Sequence, residues 1–196
     1  TLPQTYSVSA YTRPYAEEIK SYYYSAASSG KHPRILAASS DFDVLRNKFR
    51  SDPQINEWCN TVIENADSVL SQPPCQYIIL DNKRLLNQCR LALDRILRLG
   101  MAYQLTGREK YSDRAWTELE AAGNFPDWNP LHYLDTAEMT AAFAIGYDWM
   151  YDAFDGTCVK NGRTVTQREF LEQAILNFGV TNGQKAYRGT LENNWG

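Results

Sequence analysis

The residues with the greatest chemical reach lie in one block, DWNPLHYLDTAEMTAAFAIGYDWMYD, from Asp127 to Asp152. Read as a helix, steps of three and four put Glu138, Ala141, Ile145, Asp148 and Asp152 on one stripe, so three carboxylates share a face of an otherwise apolar segment. Burying a carboxylate is costly unless it is paired or hydrogen-bonded. Two outcomes are open: Asp148 and Glu138 meet arginines such as Arg84, Arg90, Arg95 or Arg98 and lock a helical array, or such pairs orient basic and aromatic groups along a cleft. His132 stands just ahead of the helix, where loop residues held by a rigid scaffold commonly bind ligands. Trp128, Tyr147 and Trp149 offer ring faces for stacking on sugars, although tryptophan at helical spacing equally fills a core.

A second cluster closes the chain. The tail LENNWG places Asn193 and Asn194 beside Trp195, and asparagine amides supply neutral donors to an anionic oxygen without adding charge. The four cysteines lack the paired spacing of a zinc site, so neither a metal nor another cofactor is expected. Cys59 lies on an apolar stripe as a small buried hydrophobe, while Cys75 and Cys158 flank loops that one disulfide bridge would tether in an oxidising compartment.

Composition narrows the partners. Lysine plus arginine number 20 against 23 aspartate plus glutamate, and the net charge of -3 gives no general attraction to nucleic acid or to an anionic membrane. Any polyanion must therefore meet a local basic cluster. No run of 18 or more apolar residues encodes a transmembrane helix, and the amino end shows no charged-then-apolar leader.

The elements that must position these groups are helical by their spacing, and nothing alternates over six residues as a half-buried strand would. The fold class expected is all-α. Residues 1–30 read as an arm packed on a helical body over 31–196. Ser40 is expected to cap a short helix with Phe42, Leu45 and Phe49, and Asp52-Pro53 opens the next, whose face runs from Ile55 to Leu70. Further helices follow over Leu85–Gln104 and Lys110–Ala122, joined by the Thr106-Gly107 turn as an antiparallel hairpin. Leu134–Phe154 is apolar around most of its circumference and reads as an inner helix. Thr166 and Glu169 form a capping box for a last helix closed by Gly179, with an irregular tail from Val180.

Four stretches, in order, resemble the heparinase II/III-like polysaccharide lyases: HPRILAASSDFDVLRNKF from His32, DNKRLL to TGREKYSDRAWTEL, the Asp127–Asp152 block, and the terminal NNW. The resemblance spans nearly the whole chain from about residue 31; the long block is its specific part, whereas HPR and NNW are short. It implies paired antiparallel helices forming part of an incomplete (α/α) toroid, followed in such enzymes by β-sandwich domains. The implied activity is β-elimination on a uronate-containing polysaccharide such as a glycosaminoglycan or alginate, by a secreted or periplasmic enzyme. One group neutralises the uronate carboxylate, a base removes the C5 proton and an acid protonates the leaving 4-oxygen. Asn193 or Asn194 matches the neutralising asparagine, but Trp195 stands where many relatives have histidine. The catalytic tyrosine would lie beyond Gly196. On this reading the chain is a front part, inactive alone, completed by a C-terminal half or by another copy of itself.

Two other readings compete. A glycan-binding or assembly module would hold sugar on Trp128, Tyr147 and Trp149. A glycoside hydrolase would need Glu138 and Asp148 as its acid pair, but ten residues of helix separate them by about 15 Å, beyond the roughly 5 to 9.5 Å such pairs use.

Overall fold

The computed structural model describes residues 30–189 together with Glu17. The proposed arm over 1–30 and the end of the tail fall almost wholly outside the described residues.

Helix α1 spans Ser39–Ser51. Its cap is Ala38 rather than Ser40, because the Asp41 carboxylate reaches back to the Ala38 N–H at 2.8 Å, a charged acceptor where Ser40 would offer only a hydroxyl. Helix α2, Pro53–Val69, starts as its sequence requires: Asp52 accepts from the N–H groups of Gln54 and Ile55 at 2.9 and 3.2 Å, and Pro53 takes the first position. Helix α3, Leu86–Thr106, ends on Gly107 at φ 65°, whose N–H returns to the Tyr103 carbonyl at 2.7 Å. Only Gly107 and Arg108 separate it from α4, Glu109–Gly123. Helix α5, Tyr133–Trp149, passes into one tight turn at Tyr151–Ala153, so the inner helix ends short of the expected Phe154.

Expectation fails next. The chain forms an antiparallel hairpin, β1 Thr157–Lys160 against β2 Arg163–Thr166, joined by Asn161 and Gly162 at φ 51° and 76°. Strands of four residues are too short to show six-residue alternation, and the Asn-Gly pair with two left-handed residues is the turn that fits the twist of paired strands. Thr166 then caps α6, Gln167–Ala174, by accepting from Glu169 N at 3.1 Å. The helix does not stop at Gly179. It continues through a wider π turn, Ile175–Val180, into α7, Thr181–Gly189, where an irregular tail was expected. Gly179 serves close approach instead of termination, since a Cβ there would stand 2.6 Å from the Thr140 hydroxyl.

Helix directions follow from which residues touch. Along α3 and α5, Leu85 meets Asp135, Arg90 meets Glu138, Gly100 and Gln104 meet Trp149, so the two run parallel. The two-residue turn sends α4 back antiparallel to α3. Along α5 and the α6–α7 rod, Tyr133 lies at Gly183, Thr140 at Gly179 and Tyr147 at Glu172, so this pair is antiparallel as well. Two hairpins thus stand side by side with their first helices parallel. Among the described residues the architecture is helical apart from the small hairpin.

The core lies between these layers and includes Ile96, Leu99, Leu119, Met139, Phe143 and Phe170. Each such side chain contributes about 1.5 to 3 kcal/mol on burial. Gly146 lets α5 approach α3 and α4: a Cβ there would come within 2.9 Å of Leu119 and 3.3 Å of Ile96. Charge also enters the core. Glu118, fully buried, accepts from Arg95 at 3.1 Å, Arg114 at 2.7 Å and the Cys75 N–H at 2.8 Å. The same arginines bind the carbonyls of Val69, Gln72 and Pro73, tying the diproline loop after α2 to the α3–α4 hairpin. Arg95 therefore does lock the array, but through Glu118 rather than through Glu138 or Asp148.

Candidate functional site

At the amino end of α5 the loop from Asp127 folds around one buried carboxylate. Asp135 is fully buried and accepts from Leu85 N at 2.6 Å and Asn129 Nδ2 at 2.8 Å, with His132 Nδ1 at 2.7 Å from its other oxygen. Asn129, at φ 50°, also donates to the Lys83 carbonyl at 2.7 Å and receives support from Asp127, which accepts from its N–H at 2.8 Å. The loop is thereby fixed to the start of α3. Since a carboxylate accepts, Nδ1 carries a proton, and the neutral tautomer that this selects leaves Nε2 unprotonated. Among the described residues Nε2 makes no hydrogen bond, and the imidazole is 26% exposed. A histidine held by a carboxylate at one nitrogen and open at the other can accept a proton or bind a hydroxyl. Tyr133 and Glu138, the latter 3.0 Å from Arg90 of α3, belong to the first turns of α5.

At the carboxyl end of α5 stands a second cluster of different character. Asp148, 1% exposed, accepts from Arg34 N and Ile35 N at 2.7 Å each, and His32 Nδ1 lies 2.7 Å from its other oxygen. His32 stacks on Tyr151 at 3.9 Å and meets Tyr147 edge-on at 5.7 Å; Arg168 covers Tyr151 at 4.2 Å. The Trp149 indole donates to the Ile35 carbonyl at 2.9 Å. These contacts pin the segment before α1 to the end of α5.

The residues singled out by sequence divide accordingly. His132 is accessible. Tyr147 is half-buried with its hydroxyl donating to Glu172 at 2.8 Å. Trp128 is a correction: it is fully buried, packs on Phe143 and Phe178, and donates to the Ala122 carbonyl at 3.0 Å, so no sugar can stack on it. Trp149 is buried too. Arg84 is also corrected, since it turns to Asp81 at 2.6 Å, three residues away on the surface, and joins neither Asp148 nor Glu138. Glu138 and Asp148 serve opposite ends of α5, which leaves no paired-acid site. Asn193, Asn194 and Trp195 lie outside the described residues. The four cysteines are free, so the bridge open to Cys75 and Cys158 in an oxidising compartment is not formed here, and no group of metal-ligating side chains occurs among the described residues.

Asp135 was missed by sequence reasoning, although its signal was present: three residues after His132, at a helix start, it is within one turn's reach. His32 and Glu118 carried no such local signal, because their partners lie far away in the chain.

No protein-family model matches this chain, and no curated protein matches it either.

Proposed function

We propose that the chain is the helical part of a lyase that cleaves a uronate-containing polysaccharide, such as a glycosaminoglycan or alginate, by β-elimination, and that His132 faces the substrate. The observation that carries this reading is the His132–Asp135 pair, an oriented imidazole with an open Nε2 at one end of the helical layers. Parallel first helices with antiparallel returns are what a section of an (α/α) toroid requires, and the ordered likeness of the sequence to heparinase II/III-like lyases points the same way. In this scheme His132 binds a sugar hydroxyl near the scissile bond. Asn193 or Asn194 neutralises the uronate, lowering the cost of the carbanion that forms as the C5 proton leaves. A tyrosine beyond Gly196 completes proton transfer, so the chain alone is inactive. The enzyme works outside the cytoplasm, where such polymers occur. The competing glycan-binding module would have to rely on Tyr147, because Trp128 and Trp149 are core residues.

The test is absorbance of the unsaturated uronate product in the near ultraviolet. This chain and a form extended past Gly196 are incubated with heparan sulfate, chondroitin sulfate, hyaluronan and alginate. The extended form should generate the chromophore on one of them, and His132→Gln should raise its KM about three- to tenfold, as loss of one neutral hydrogen bond does. Absence of product from every polymer in the extended form would remove the proposal; activity of the short chain would move the proton-transfer groups into residues 1–196.

A further inference from the structure

A group of three arginines lies elsewhere. A cavity of about 330 Å³ opens where the end of α1, the start of α2 and the α3–α4 turn converge, lined by Arg46, Phe49, Arg50, Asn56, Thr106 and Arg108. This volume is at the small end of ligand sites, which span about 300 to 1,000 Å³. Arg46 has structural work: it donates to the Gln104 carbonyl at 2.6 Å and to Asp43 at 2.5 Å. Arg50 and Arg108 do not. Among the described residues their guanidinium groups form no ion pair or hydrogen bond, and both residues are exposed. Two exposed arginines thus line one small cavity in a chain of net charge -3, and of the two only Arg108 feels a nearby acid, Asp67.

We propose that this groove binds a sulfate or carboxylate of an acidic glycan, as a subsite remote from His132. The identity of the ligand as a glycan rests on the lyase reading above; the anion site does not. Guanidinium forks match planar or tetrahedral oxyanions in two-point contacts. Thr106 and Asn56 are tied to the backbone, donating to the carbonyls of Ala102 at 2.7 Å and Phe49 at 2.9 Å, so they hold the walls of the groove, and the Phe49 ring adds an apolar wall of the kind on which sugar faces rest. The groove is at the carboxyl end of α3 and Asp135 at its amino end, so the 21 residues of that helix separate the two by about 30 Å. That distance is a span of several sugar units, which lets the groove hold a polymer at a second point without touching the bond being cleaved.

The test compares the wild-type chain with the double variant Arg50→Gln, Arg108→Gln and with Arg163→Glu, a solvent-exposed change on β2 that alters net charge by the same amount. Binding of a sulfated heparin hexasaccharide is measured at low salt. The double variant should bind ten- to about a hundredfold more weakly, as loss of two charged contacts implies, and Arg163→Glu should stay within about twofold. Equal losses in both variants, or none in the double variant, would overturn the site. Sodium sulfate at matched sulfate concentration, and an oligonucleotide of matched charge, serve as competitors: displacement by either as effective as by the hexasaccharide would overturn the glycan assignment. The lyase reading is separately exposed. Loss of binding in the double variant without lyase product from the extended form keeps the groove and removes the lyase, whereas product with unaltered binding does the reverse.

Discussion

The carboxylate of Asp148 holds the imidazole of His32 at 2.7 Å across 116 positions of sequence. The same carboxylate accepts two backbone N–H groups from Arg34 and Ile35, so a single buried side chain anchors the whole segment that leads into α1.

Asp148→Ala should therefore act on stability. It strands two part-buried N–H groups and the His32 ring, and breaking a charged network around a buried carboxylate costs about 3 kcal/mol. Urea unfolding should show a lower midpoint with an unchanged slope. A midpoint equal to wild type would mean that the cluster is not a structural anchor.

His132→Ala and Asp135→Ala should separate in the same assay. The imidazole is partly exposed and its removal costs about 1 kcal/mol or less, whereas Asp135 satisfies Leu85 N and Asn129, and losing it should cost about 3 kcal/mol. Equal losses would show that His132 is held for packing.

Burial pushes the Cys75 thiol far above its ordinary 9.0, with the Glu118 carboxylate adding to the effect. Burial also raises Cys89, up to about 12, helped by the charges of Asp135 and Glu138. Only thiolate reacts with disulfide reagents, so at pH 8 both should remain unlabelled in the native protein. Half-buried Cys158, raised less, should react first. Peptide mapping by mass spectrometry would detect early labelling at Cys75, the result that contradicts this order.

The Lys110–Asp67 pair, 2.6 Å apart, gives a pH window. The Lys110 contact, together with the Tyr111 hydroxyl, lowers the Asp67 carboxyl from 3.8, and Asp67 in turn raises Lys110 from 10.5. A lowered acid contributes stability above its unfolded value and loses it as pH falls; a raised amine contributes below its unfolded value and loses it as pH rises. The stability difference between wild type and Asp67→Asn should be greatest between pH 3.8 and 10.5 and shrink on both sides. Both groups are solvent-exposed, so the effect is small and should weaken in high salt. A difference independent of pH would assign the contribution to packing alone.

Gly146→Ala should destabilise by about 1 to 3 kcal/mol despite the better helix propensity of alanine, because the added methyl must displace Leu119 and Ile96 between two close-packed layers. A neutral result in thermal denaturation would show slack in that contact.

How much of this was legible depended on whether the deciding interaction was local. Helices α2, α3 and α4 follow from periodicity with caps, and Asp52-Pro53 and Gly107 mark their ends within one turn. The hairpin escaped because its strands are only four residues long, although Asn161-Gly162 announced the turn. Gly179 looked like a stop because glycine commonly closes helices; its reason for being there is Thr140 on another helix, which no local pattern reveals. At the site, periodicity placed Asp148 on a buried face but could not say that its partner comes from the segment before α1. Trp128 carried an ambiguous signal, and the structure resolves it toward the core.

The parallel course of α3 and α5 has an electrical consequence. Peptide dipoles aligned along both helices gather partial positive charge at one end of the layer and negative charge at the other. Asp135 lies at the positive end, where its carboxylate meets the starts of both helices and is favoured by each. At the negative end the carbonyl of Gln104 is met by Arg46 and that of Tyr151 by Arg168. Asp148 is the exception, an acid in the final turn of α5 where the field opposes it. Its ring of Arg34 N, Ile35 N and His32 is the local countermeasure, and it explains why the end of α5 recruits donors from so distant a stretch of chain.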